Sequence, residues 1–540
     1  MKNLALFIFS IFTFSLTAQN FEKLINLTDK VDFTYCLAVT KGNSLLLCAT
    51  PFSITSNFQN AVDSSFLVKL DKNGNTLIQK SITPQDLDPQ FGPTVTILNI
   101  SSGTFLNNEW YLTGVIGPVD ADDNRNNAFI RLDTNLNIVA TSLDTSFINP
   151  NNTNHYQAWI RTESINDSTI AVLGAQQYKT TGNVLIVEPR YVEYDTRNMK
   201  AKRRRSYQYI NNPYEPIMFR NILTKNGFRY LFTTGTDPIQ GVSRIQAYKL
   251  GENDSIHEFE LIDPPYINNR GGAYTYEAQA INWLTDTSFI YITSEKHRYR
   301  VPPSSNYKES GDVKMLVYDT SLNIINHKTL TISDTVNLVS DFGNSLKYDS
   351  KTDTYYYGFT CNLKEYNHRD YDRLYRGDTA FFRLIRFDRD LNIIWDRSYR
   401  RDGRMEMHSL EVDHDGNIIM AGVYNPRANN NLYDFDLFVL KVDSTGNLNT
   451  VGLNDSKKID PINYSIYPNP ASNQFTIKQY NVLEDYELKL MNINGQLIKS
   501  TQLKSQTEQQ INIEGLTKGI YLYQLISSNG KIATGKLIKN

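Results

Sequence analysis

Internal repetition limits this chain more than any other feature. Seven times a short apolar segment ending in small residues is followed, after a polar stretch, by a second apolar segment that runs into a turn. The first members are SLLLCAT (44–50), WYLTG (110–114), IAVLG (170–174), YLFTTG (230–235), FIYIT (289–293), YYYGF (355–359) and IIMAG (418–422). They return about every 60 to 65 residues, a period that marks a repeat array. A unit of that size cannot bury its own apolar face. It must pack on its neighbours.

The second members are FLVKLDKNGN from 66, FIRLDTNLN from 129, YVEYDTRN from 191, AYKLGEND from 247, MLVYDTSLN from 315, LIRFDRDLN from 384 and FVLKVDSTGN from 438. Asp and Asn side chains bond neighbouring backbone groups and tolerate left-handed conformations, as Gly does freely, so these turns read as hairpin ends. A calcium loop would need carboxylates at several fixed spacings and a closing Glu. No copy supplies them. The acidic run Asp120, Asp122, Asp123, Asn124, Asn126 fails likewise, since Arg125 and Arg131 stand where such a loop wants Gly and Glu.

A third apolar element precedes each first member, as in FTYCLAVT and MHSLEVD, and a fourth follows each Asp turn, as in TLIQKSI, IVATSLD, IINHKTL and IIWDRSY. With 34 tyrosines and 26 phenylalanines the composition favours strands. Four strands in each of seven repeats predict an all-β, seven-bladed β-propeller over 19–452. The pattern resembles the long-repeat bacterial propellers with a Leu-Asp-x-x-Gly-Asn turn. Its fourth copy is the weakest, with Gly251 in place of Asp. Phe21 to Asn26 matches the fourth-strand pattern and is expected to complete the last blade beside FVLKVD.

At the N-terminus Lys2, the apolar run from Leu4 to Leu16, and Thr17-Ala18 form a signal peptide, residues 1–18, with cleavage between Ala18 and Gln19. No later segment reaches the roughly 20 apolar residues of a transmembrane helix. A net charge of -2 gives no pull toward nucleic acid. The basic run Lys202 to Arg205 falls on an expected outer strand, where charge blunts a sheet edge. Cys36 and Cys48 flank Lys41-Gly42-Asn43 symmetrically, so a three-residue hairpin loop sets them opposite each other. A disulfide and a pair of packed thiols both fit that position, and a bridge requires a non-hydrogen-bonded pair. Cys361 has no evident partner.

Chemistry-bearing motifs are scarce. The chain has no nucleophile elbow, His-Glu-x-x-His, phosphate loop or paired CxxC, and its seven histidines fall singly, so neither metal nor cofactor is expected. The loops between first and second members emerge on one face of the array. Two adjacent ones are long and rich in Arg and Tyr: Glu295 to Asp312 with Arg298, Tyr299 and Arg300, and Asn362 to Asp378 with Tyr366, Arg369, Tyr371, Arg373, Tyr375 and Arg376. Aromatic faces stack on sugars, and Arg forks grip carboxylates. A non-catalytic scaffold for glycan or protein is therefore expected. The alternative is a polysaccharide hydrolase or lyase with carboxylates converging at the channel mouth.

Beyond a polar linker at 453–463 the pattern changes to closely spaced strands, FTIK, YELKLMNI, LIKSTQ, INIEGL, GIYLYQLIS and IATGKLIK, which suggest a small Ig-like β-sandwich over 464–540. Tyr467-Pro468-Asn469-Pro470, Met491 to Gly495, Leu516 to Tyr521 and Gly535-Lys536-Leu537 together resemble the type A C-terminal sorting domain of the type IX (Por) secretion system of Bacteroidota. Pro468, Asn469 and Pro470 match the family's opening motif, Gly495 its central turn, Gly519 and Tyr521 its penultimate strand, and Lys536 its basic end. The resemblance implies passage through the type IX machinery, removal of the domain, and release or attachment at the outer-membrane surface.

Overall fold

The computed structural model describes residues 20–28, 31–52, 64–90, 95–118, 126–144, 155–179, 185–206, 215–225, 227–236, 243–250, 256–261, 274–300, 307–330, 338–339, 345–361, 380–426, 435–448, 464–479, 485–492, 496–527 and 532–540. They fall into two compact units, Met1–Thr450 and Val451–Asn540. Among the described residues both units are built from strands, apart from one short helix, Pro84–Leu87.

The first unit contains seven antiparallel sheets among the described residues. The first joins Val31–Val39, Leu45–Phe52, Ser65–Leu70 and Thr76–Ile82 in sequence order, and the next four sheets repeat that order. In the sixth the first strand is split, Leu338–Val339 and Leu346–Asp349 both pairing with Thr354–Cys361. The seventh takes Gly403–Val412, Ile418–Pro426 and Asp436–Val442 from the end of the unit and its fourth strand, Phe21–Ile25, from the beginning. Phe21 pairs with Lys441 and Ile25 with Leu437, so the expected closure by the N-terminal strand is what forms.

Apolar side chains gather in seven clusters, each between one sheet and the next. One of them joins the seventh sheet to the first through Phe21, Ile25, Leu47, Val68, Leu437 and Val439. The sheets thus form a closed, propeller-like ring with no single core. This is how repeats of about 60 residues bury apolar area that none could bury alone.

Four of the Asp turns use the side chain in one way. Asp71 accepts the backbone N–H groups of Asn73 and Asn75 at 2.8 Å each and the Asn75 amide at 2.8 Å. Asp133, Asp319 and Asp388 repeat the set. Partial burial would raise these carboxyls, but the donated N–H bonds hold them below the usual range. The fourth turn residue is left-handed: Gly74 at φ 86° and Gly446 at 77°, yet Leu136 at 63° and Leu391 at 65°. Those leucines are buried between sheets, and that burial offsets the strain.

The small residues ending the first members answer a recurring bulge. In six sheets the first strand carries an extra residue opposite the end of the first member: Tyr35, Ser101, Ile160, Arg220, Ala278 and His408. The pair just before it matches Thr34 with Ala49, Ile100 with Gly114, Trp159 with Gly174, Phe219 with Thr233, Glu277 with Ser294, and Met407 with Gly422. A bulge bends its strand across the partner. At Gly114 and Gly422 an added Cβ would strike the carbonyl oxygens of Asn99 and Glu406.

A second repeated device ties sheet to sheet. In four sheets a cation stands two residues before the turn Asp and donates to the carbonyl just after the Asp of the next sheet: Lys69 to Thr134 at 2.8 Å, Arg131 to Thr196 at 2.8 Å, Arg386 to Ser444 at 3.3 Å and, across the closure, Lys441 to Lys72 at 3.2 Å. Lys441 also meets Asp413 at 2.8 Å with both side chains fully buried. Between the third and fourth sheets the polarity is inverted, Glu193 receiving Arg229 at 2.8 Å.

The second unit has two sheets around one core. Tyr464–Tyr467, Gln474–Gln479 and Glu508–Asn512 form one, and Leu497–Leu503, Tyr486–Met491, Gly519–Ser527 and Ile532–Lys539 the other. Phe475, Leu488, Leu490, Leu525 and Leu537 meet between them. The expected strand INIEGL is displaced: pairing with Gln474–Gln479 ends at Asn512, and Ile513 to Leu516 closes a turn with an Ile513 O to Leu516 N bond of 3.0 Å. Strand Tyr464–Tyr467 was not expected, because four residues leading into prolines carry too little alternation to detect.

Candidate functional site

The expected loop Glu295 to Asp312 is mostly paired strand, which corrects the sequence expectation. Ser288–Arg300 and Tyr307–Asp319 run as one long hairpin, with Arg298 opposite Glu309, Tyr299 opposite Lys308 and Arg300 opposite Tyr307. Tyr274 pairs with His297 on one flank and Leu330 with Val313 on the other. Among the described residues the hairpin continues past the ends of both neighbouring strands, at residues 298–300 and 307–309. Alternating Tyr, Arg and Lys keep the extended conformation that a sequence rich in charge had suggested was loop. Tyr366, Arg369, Tyr371, Arg373, Tyr375 and Arg376 lie outside the described residues, as do Ala18 and Gln19.

Charged groups two residues apart on one first strand pair with each other. Arg404 reaches Glu406 at 3.3 Å and Arg161 reaches Glu163 at 3.3 Å. His408, at the seventh-sheet bulge, is fully buried, and burial depresses its basicity against the opposing pull of Glu406. In the third sheet Tyr191 donates to Glu193, which also receives Arg229, a closed network that ties neighbouring sheets. Among the described residues no group of three or more His, Cys, Asp or Glu side chains could hold a metal ion.

Cys36 and Cys48 stand opposite each other as expected, beyond a loop closed by a Thr40 N to Ser44 O bond of 2.9 Å. Both are buried free thiols. Counting by twos from the bonded Thr40–Ser44 pair puts them at a hydrogen-bonded position, where side chains diverge more than a bridge prefers. Burial raises the Cys36 thiol, and its neighbour Cys48 raises it further. Lys202 to Arg205 lie on the outer strand Ala201–Ser206, and Lys202 bonds Asp195 at 3.2 Å.

In the second unit the separated motifs converge. Asn469 of the Pro468-Asn469-Pro470 segment bonds one edge of the terminal strand twice, through Nδ2 to Lys536 O at 2.7 Å and through Oδ1 from Ile538 N at 2.9 Å. Gly535 leaves room for the Tyr523 ring, which a Cβ would strike. The Tyr523 hydroxyl meets that of Tyr464 at 3.0 Å. Tyr521 is buried and donates to Thr517 O at 2.8 Å, Gly519 pairs with Lys539, and the Lys536 side chain is exposed. Gly495 lies outside the described residues. No helix among the described residues is long and apolar enough to cross a membrane.

Residues 465–540 match the secretion system C-terminal sorting domain. That tail directs export by the type IX machinery to a secreted or cell-surface location. No curated protein sequence matches the chain. Similar solved structures include a fungal alcohol oxidase of the AA5 family in complex with copper, at 10% identity over 96% of this chain and 98% of the other with a TM-score of 0.41. An α-L-arabinanase of Penicillium chrysogenum in complex with arabinobiose is 12% identical over 66% of this chain and 95% of the other, with a TM-score of 0.36. A virginiamycin B lyase of Staphylococcus aureus is 12% identical over 78% and 99%, also at 0.36. Likenesses this distant say nothing of activity.

Proposed function

We propose that this is an exported, non-catalytic binding scaffold: a seven-bladed β-propeller at 19–452, released from a signal peptide between Ala18 and Gln19, joined by a linker at 453–463 to an Ig-like sorting domain at 464–540. Its ligand is an extracellular glycan or protein. The ribbon that outruns its sheet supports this assignment. Among the described residues it carries Arg298, Tyr299, Arg300, Tyr307 and Lys308 on two paired strands beyond the Tyr274–His297 pair. Tyr and Arg are the residue types that supply stacking and charge-assisted bonds to glycan and protein partners. The charged groups of the first strands are tied to one another instead, as in Arg404–Glu406 and Arg161–Glu163.

A glycan array with the exported protein, followed by product analysis on every ligand bound, tests the proposal. Replacing Arg298, Tyr299 and Arg300 together by Ser is expected to weaken binding at least tenfold without altering thermal unfolding. Cleavage of a bound polymer would establish an enzyme and overturn the scaffold.

A further inference from the structure

We propose that the Pro-Asn-Pro segment and the chain terminus form one recognition element. Asn469 positions the last five residues in the sheet, and a protein of the type IX machinery reads that clamped edge. The proposal rests on the sorting role of the tail.

Pro468 and Pro470 carry no N–H, so a backbone built from them cannot donate to a neighbouring strand. The Asn469 amide takes over that task. It meets one acceptor and one donor two residues apart on Ile532–Lys539, Lys536 O at 2.7 Å and Ile538 N at 2.9 Å, the pair a neighbouring strand residue would satisfy. The ladder then passes to backbone: Ala471 N donates to Ile538 O at 2.8 Å, and Asn540 N donates to Ala471 O at 2.8 Å, with Ala471 and Lys539 in parallel register. Four bonds in succession hold residues that would otherwise fray as a chain end does. On the other edge Gly519–Ser527 pairs with the same strand.

The clamp also fixes what the terminal strand displays. Across the outer face of its sheet one register row reads Leu497, Met491, Leu522, Lys536, and the next sets Ile520 beside Ile538. Leu497 is 53% exposed and Ile520 43%. An apolar strip ending on a lysine fits a partner that offers apolar side chains and carboxylates. The charge of the segment agrees: residues 464–540 hold eight lysines, no arginine and five acidic residues. Removing the clamp frees the lysine end of the strip while the core sheet remains.

The test uses the full chain in a host with the type IX system. Two readouts are taken, the exported fraction and hydrogen exchange in the accumulated protein. For Asn469→Ala the Ile538 and Asn540 amides are expected to exchange about tenfold faster or more, those of Tyr486–Met491 to stay protected, and export to fall about tenfold. Asn469→Asp, which accepts but cannot donate, is expected to lie between. Lys536→Glu leaves every clamp bond in place and is expected to lower export with exchange unchanged, so it carries the test if loss of Asn469 unfolds the tail. Parental export with a freed terminus, parental export for Lys536→Glu, or unaltered Ile538 exchange in Asn469→Ala would each overturn the proposal. Deletion of 464–540 separates the two levels: undiminished export would mean that the tail is no sorting signal at all.

Discussion

The two units are both fastened by a segment from a chain end, but by different means. The ring is closed by Phe21–Ile25, five residues whose backbone pairs with Leu437 to Lys441. The tail is fastened by one side-chain amide between two prolines and a short parallel bridge. Backbone pairing asks only for strand propensity and two inward apolar residues, so FEKLI is recognised by its likeness to the other fourth strands and not by any required residue. Where prolines have removed the donors, one particular side chain is required. That requirement leaves a legible signature.

Removing the backbone fastener should do the most damage. Deleting 19–28 strips five ladder residues and buried Phe21 and Ile25 from the closure, worth about 5 kcal/mol or more. By calorimetry the transition of the first unit should vanish or fall steeply while that of the tail stays. Unchanged stability would refute closure by this strand. Lys441→Met tests the side-chain counterpart of the same seam, since it strands Asp413 in a fully buried site. The expected loss is about 3 to 5 kcal/mol by denaturant titration.

Gly422→Ala probes the bulge shared by six sheets. A Cβ there meets the Glu406 carbonyl, and the expected cost is about 1 to 3 kcal/mol. The same substitution at Gly416, whose Cβ position is open, should cost less despite its positive φ of 86°. Equal losses at the two glycines would remove the bulge as the reason for the small residues.

The smallest effect is one of pH. Asp32 is buried beside the closure and accepts Leu27 N at 3.0 Å, Thr28 N at 3.3 Å and Thr28 Oγ1 at 2.7 Å. Burial, aided by Asp436, pushes its carboxyl up to about 6 in spite of those bonds. A raised carboxyl contributes stability that is complete below the unfolded value near 4 and is lost as pH rises through about 6. The Asp turns have the opposite sign, their lowered carboxyls losing their contribution on acidification. The melting temperature of Asp32→Asn minus that of the parent should therefore become more positive between pH 4 and pH 7. A difference independent of pH would show that Asp32 does not ionise in that window.

Much of this was legible because it is local. An Asp with Asn four residues on specifies a turn through bonds within five residues, so the hairpins at Asp71, Asp133, Asp319, Asp388 and Asp443 could be placed one by one. The cation two positions before four of the turn Asp residues was equally visible in FLVKLD, FIRLD, LIRFD and FVLKVD, yet its meaning was not. Its acceptor lies in the next sheet, some 60 residues away. The ribbon at 298–309 was missed for a related reason: charge density signals loop, and only pairing across the hairpin shows the residues to be strand.

By itself the sequence determined the repeat, the strand class, the turns and the export signal, each resting on residues close together in the chain or on a motif in fixed order. Tertiary structure alone decided that Lys441 and Asp413 share a buried seam, that six bulges explain the glycines and other small residues, and that Asn469 holds Lys536 and Ile538. Those contacts join residues that neither periodicity nor propensity relates. Nothing short of the folded backbone brings their donors to their acceptors.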